Sequence, residues 1–98
     1  MTINKSLVDS ALTVSLEGRL DTVTAPELDE ELKTSLDGVT DLTLDLEQLE
    51  YMSSAGLRVL LSTQKKMNKQ GVMKVTHVNE TIMEIFEITG FSDILTIE

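Results

Sequence analysis

The hydrophobic period of this chain switches repeatedly between two residues and four, and that switching limits the folds open to it. In DLTLDLEQL, Leu42, Leu44 and Leu46 alternate with Thr43, Asp45 and Glu47, the pattern of a half-buried strand. In APELDEELKTSLDG, Leu28, Leu32 and Leu36 recur every four residues, which places them on one face of a helix. Pro26 suits that helix's first turn, where its missing N–H has no intrahelical partner. Thr24 is a candidate N-cap and Gly38 a stop. Strands alternating with helices imply a largely parallel sheet with helical cover.

The remaining elements follow the same logic. INKSLVDSALTVSLEG reads as a hairpin, with a turn at Asp9-Ser10, alternation at Leu12, Val14 and Leu16, and Gly18 ending its second strand. A strand is expected over 41–46 and a helix from Ala55 to Gln70, with Leu57, Leu60, Leu61 and Met67 inward and Gly71 after it. VMKVTHV is a short strand. ETIMEIFEITG is a helix that turns Ile82, Ile85, Phe86 and Thr89 inward and ends on Gly90. DILTI is a closing strand. The expected fold is a single α/β domain over residues 1–98, a mixed and mostly parallel sheet with helices packed against it, in the order β-β-α-β-α-β-α-β.

Composition narrows the function classes. Apolar residues make up 41% of the chain, enough for a core, but only three residues are aromatic, so stacking platforms for single-stranded nucleic acid are not expected. Eight basic against 17 acidic residues give a net charge of −9. Phosphate backbones and anionic membranes repel such a surface, so neither nucleic acid nor membrane is an expected partner. The absence of cysteine excludes disulfides and thiolate chemistry. No apolar run reaches the roughly 20 residues of a membrane span. Asp9, Ser10, Thr13 and Ser15 interrupt what would be a signal peptide's apolar core. A cytoplasmic location is expected.

Catalytic motifs are scarce. The one histidine, His77, falls in an expected strand. A small hydrolase pairing His77 with Ser54 stays open, although Met52 stands where a G-x-S-x-G elbow would need glycine. No glycine-rich phosphate loop occurs. Asp41, Asp45 and Glu47 alternate on a strand, while Glu27, Asp29, Glu30 and Glu31 open a helix whose dipole favours anions. Both acidic groups read as solvated faces. No enzyme activity, metal or cofactor is expected.

The stretch YMSSAGLRVLL remains. Its serines fall between a strand and a helix, on the side where strands exit and open α/β proteins commonly place their sites. One serine hydroxyl suffices to cap the helix. The other is then a free hydroxyl at a positive helix end that tolerates a phosphate. The residue types leave open whether Ser53 and Ser54 serve only as cap or include a phosphoacceptor.

LDLEQLEYMSSAGLRVLL resembles the signature of the STAS-domain family, in particular bacterial anti-sigma-factor antagonists. GRLDTVTAPEL resembles the family's second mark, G-x-L-D before a helix, and KVTHVNETIMEIFEITGFSDILTI is similar to its closing strand–helix–strand. The resemblance implies a phosphorylatable serine before a small residue and Gly-Leu, which is Ser54, with Ser53 the alternative because it stands where the family often has Asp. The expected partner-binding surface is Asp21, Thr24, Asp45, Ser53, Ser54, Ala55 and Gly56. The resemblance matches Asp21 to the G-x-L-D mark and Asp45 to a strand-end Asp, while Gly56, a residue that costs stability in a helix's first turn, suggests close approach by a partner backbone. Implied partners are a serine-kinase anti-sigma factor, which the unphosphorylated domain binds so that a sigma factor is released, and a serine phosphatase that resets the switch. Other STAS roles, such as a stressosome-like scaffold subunit or a lipid-transport accessory protein, are the alternatives.

Overall fold

The computed structural model describes residues 1–98. Its elements run β1 (Thr2–Val8), β2 (Ala11–Leu20), α1 (Ala25–Ser35), β3 (Asp41–Met52), α2 (Ser54–Asn68), β4 (Val72–Thr76) and α3 (Glu80–Thr89), followed by a 3₁₀ turn at Phe91–Asp93. The sheet order is β1-β2-β3-β4. β1 is antiparallel to β2, and β2, β3 and β4 are mutually parallel. The expected mixed, mostly parallel sheet is what forms.

Alternation explains why the helices cover one face of this sheet. Leu12, Val14, Leu16, Leu42, Leu44, Leu46, Met73 and Val75 are buried on it, with Leu28, Leu32, Leu36, Leu57, Leu60, Ile82 and Phe86 from the helices in the same core. Across the pleat, Thr13, Ser15, Thr43, Asp45 and Lys74 are exposed or half-buried. Burying a Leu side chain contributes about 1.5–3 kcal/mol, so each three-leucine stripe holds its element in one register. A one-residue slip would turn the whole stripe to water.

The hairpin turn falls at Asp9-Ser10, between the paired Val8 and Ala11. Asp9 takes φ 55, a left-handed conformation that Asp tolerates. Three expectations change. β2 does not end at Gly18: φ +100 there, which only glycine adopts freely, lets the strand bend and continue to Leu20. β3 does not end at Leu46. Against the register of β2 it carries two extra residues, one at Leu46-Glu47 and one at Glu50. These bulges break the two-residue period yet return Leu49 and Met52 to the core. The closing strand shrinks to one parallel bridge, Val75 to Ile97, because Phe91–Asp93 is spent on the 3₁₀ turn.

The helices run close to expectation. In α2, Leu61 is only half-buried while Val59, Thr63 and Gln64 are buried. In α3, Thr89 is exposed, and its hydroxyl donates to the Ile85 carbonyl at 2.6 Å. Gly90 closes α3 at φ 81.

Candidate functional site

Two segments meet where β2 and β3 leave the sheet: the loop after Leu20 and the junction of β3 with α2. The Ser53 N–H donates to the Leu20 carbonyl at 2.8 Å and couples them. One strand back, Arg19 lies opposite Tyr51 in the parallel register. Its guanidinium sits 4.5 Å from the Tyr51 ring centroid, a cation–π contact. Neither residue stands out in the sequence; only the register set by the bulges brings them together.

The Asp21–Thr24 loop is tied internally. Asp21 Oδ1 accepts from the Val23 and Thr24 N–H groups at 3.0 and 3.1 Å. The Thr24 hydroxyl accepts from the Asp21 N–H at 2.9 Å and donates to the Arg19 carbonyl at 2.8 Å. Thr24 occupies the N-cap position of α1, yet its side chain caps nothing in the helix; it is spent on the loop. The Thr24 N–H bond is the main reason the Asp21 carboxyl is held below the usual carboxylate range, with the Val23 N–H, the Thr24 hydroxyl and Arg19 adding to it against a desolvation effect. At the loop's tip Val23 is 84% exposed. The loop is a fixed platform that presents an apolar side chain and an anion.

At the other segment the two serines differ. Ser53 is the N-cap of α2 with extended φ and ψ, but its side chain makes no capping bond. Its Oγ is buried and has no hydrogen-bond partner. Ser53 therefore does not do the capping that its position suggests. Ser54, the first residue of the helix, is exposed. No side chain accepts from the first turn of α2, so its N–H groups keep their attraction for an anion. Beside this end, a groove of about 450 Å³ between α1 and α2 is lined by Thr22, Ala25, Ala55, Arg58 and others.

Two assignments are corrected. Gly56 does not offer a partner an open backbone: it is buried, and a Cβ there would come within 2.7 Å of Leu20 Cγ and 3.0 Å of Met52 Cγ. Its lack of a side chain lets α2 start against the ends of β2 and β3. Asp45 is not a strand-end residue. It lies within β3 on the open sheet face, seven residues before Met52 and so roughly 20–25 Å back along the strand. There its Oδ1 pairs with His77 Nδ1 at 3.0 Å. Asp21, Thr24, Ser53, Ser54 and Ala55 are brought together at one end of the sheet; Asp45 is not. His77, held by Asp45, makes no hydrogen bond to either serine, so no nucleophile–base pair forms.

The sequence profile described as STAS domain matches residues 2–98. The chain is a member of the STAS-domain family. Among curated proteins it is 34% identical to the anti-sigma-B factor antagonist of Bacillus subtilis over 90 residues, covering 91% of this chain and 83% of that protein. Among solved structures, an anti-sigma factor antagonist from Mycobacterium paratuberculosis superimposes with a TM-score of 0.88 at 27% identity, covering 98% of this STAS domain and 83% of that chain. The Bacillus cell fate determinant SpoIIAA in its phosphorylated form shares the fold, with a TM-score of 0.77 at 17% identity over 99% of this chain and 91% of that one. No helix of this STAS domain is long and apolar enough to cross a membrane.

Proposed function

We propose that this STAS domain is an anti-sigma-factor antagonist switched by phosphorylation of Ser54. The unmodified domain binds a serine-kinase anti-sigma factor through the Asp21–Thr24 loop and the start of α2, and the sigma factor is set free. The kinase then transfers phosphate from ATP. The Ser54 Oγ attacks the γ-phosphorus, the bond from that phosphorus to the β,γ-bridging oxygen breaks, ADP leaves, and the hydroxyl proton passes to a base of the kinase. A serine phosphatase restores the hydroxyl.

One observation carries this reading: of two adjacent serines, Ser54 alone presents an exposed hydroxyl, at a helix start with no side-chain cap. The names of the relatives and the phosphorylated form of SpoIIAA support it. A phosphate brings about −1.5 to −2 charges into a contact made by a chain already at −9. It is tolerated by the helix and repelled by a partner surface shaped for a neutral hydroxyl. The test is intact mass after incubation with cognate kinase and ATP, followed by peptide mapping. One phosphate on Ser54 and none in Ser54→Ala is the expected result. Phosphate on Ser53, or persisting in Ser54→Ala, overturns the assignment.

A further inference from the structure

Arg58 suits a helix by propensity, but its charge stands at the wrong end of α2. It sits just past the first turn of α2, where the helix dipole favours anions and gains nothing from a cation. Four of the chain's basic residues have carboxylate partners: Lys5 with Glu31, Arg19 with Asp21, Lys33 with Asp29, and Lys74 with Glu98. Lys65, Lys66 and Lys69 have none, but they close α2 at its negative end, where the dipole welcomes them. That leaves Arg58 exposed and unpaired in a chain with 17 acidic residues. Asp29, which shares its groove, is taken by Lys33 at 3.0 Å.

The position does make sense relative to Ser54. Residues four apart lie on one helix face, and helical side chains lean toward the N-terminus. The guanidinium of Arg58 can therefore reach back over the first turn toward the Ser54 hydroxyl. An anion four residues N-terminal to a cation is the favourable order for such a pair. A guanidinium also matches two phosphate oxygens at once.

We propose that Arg58 is an intramolecular clamp for phosphate on Ser54, a positioning residue that has no partner until the modification supplies one. This rests on Ser54 as the acceptor. The clamp lays the phosphate along α2 toward the groove, so the modified surface is ordered rather than merely more negative. The other charged groups at this end are already committed, Arg19 to Asp21 and Tyr51, and Asp29 to Lys33.

The test uses the full chain with phosphoserine installed at position 54 during translation, so that no kinase is needed. The second ionisation of the phosphate is followed by ³¹P NMR in the native sequence, in Arg58→Gln and in Arg58→Lys. A clamp stabilises the dianion. The native midpoint should lie below that of Arg58→Gln by about 0.15–0.4 pH unit, the range expected from a helix pair of this spacing. Arg58→Lys should fall between them, and the difference should shrink in high salt. Coincident titrations in the native protein and Arg58→Gln would overturn the clamp. A kinase that leaves Ser54 unmodified would instead overturn the preceding proposal, and it has no bearing on these curves.

Discussion

The N-termini of α2 and α3 show two ways to begin a helix after a strand of the same sheet. At α3, Asn79 Oδ1 accepts from the Ile82 N–H at 2.9 Å, and its Nδ2 donates to the Leu49 carbonyl at 2.9 Å. One side chain closes the helix and pins it to β3. At α2, Ser53 stands in the equivalent position with a comparable backbone. Its hydroxyl is turned into the protein without a partner, and the next residue offers a free hydroxyl to solvent. The first end is finished as structure. The second forgoes a cap worth about 1 kcal/mol and remains open to an anion. Local rules of stability are most often broken where a site needs it.

Gly56 is where the largest effect is expected. Valine there must displace Leu20 and Met52, and overpacking of this kind typically costs about 1–3 kcal/mol. Urea denaturation of Gly56→Val should show a clear loss of stability, and an unchanged midpoint would mean that α2 does not need this close approach. Next comes Asn79→Ala, which removes both a cap and an anchor. It should cost about 1–2 kcal/mol in the same experiment. Ser53→Ala, the matching change at α2, should fall within about 0.5 kcal/mol of the native protein, because no hydrogen bond is lost. A loss as large as that of Asn79→Ala would erase the contrast between the two ends.

The smallest effect concerns the Asp21–Thr24 loop, which follows the strand end bonded to Ser53. The Thr24 N–H holds the Asp21 carboxyl below its ordinary range. A depressed folded pKa adds stability that is fully present above the unfolded value of about 3.9. That contribution is lost as pH falls below this value through the lower folded pKa. Carboxyl NMR should therefore place the Asp21 midpoint below 3.9, and Thr24→Ala should move it upward as the loop loosens. A native midpoint at or above the ordinary value would show that the loop is not tied as described.

The strands and helices were legible wherever a period ran unbroken. Leu42, Leu44 and Leu46 announce β3, and Leu28, Leu32 and Leu36 announce α1. The end of β3 was not legible, because its two bulges move the buried residues from every second position to every third, at Leu46, Leu49 and Met52. That hidden extension carries Asp45 away from the serines, though the two lie close in the sequence. It also creates the Arg19–Tyr51 contact, which no spacing within either strand encodes. Gly56 looked available because small residues suit interfaces and tight packing alike, and only the positions of Leu20 and Met52 decide between the two uses. That a serine would stand exposed at the start of α2 was legible, and the family resemblance, not the residue pattern, picks out Ser54. That Ser53 would leave its cap unmade was not, since sequence does not say which way a hydroxyl turns.

The most direct measurement of the central claim is the affinity of a cognate serine-kinase anti-sigma factor, by calorimetry, for the unmodified domain and for the same chain carrying phosphoserine at position 54. Desolvating the roughly −1.5 to −2 charges of a phosphate at an interface costs on the order of several kcal/mol, far more than the roughly 0.2–0.5 kcal/mol that a helix-face pair with Arg58 offsets, so the phosphorylated form should bind more weakly by a factor of hundreds or more. Equal affinity of the two forms would contradict the claim that the open end of α2 is a switch.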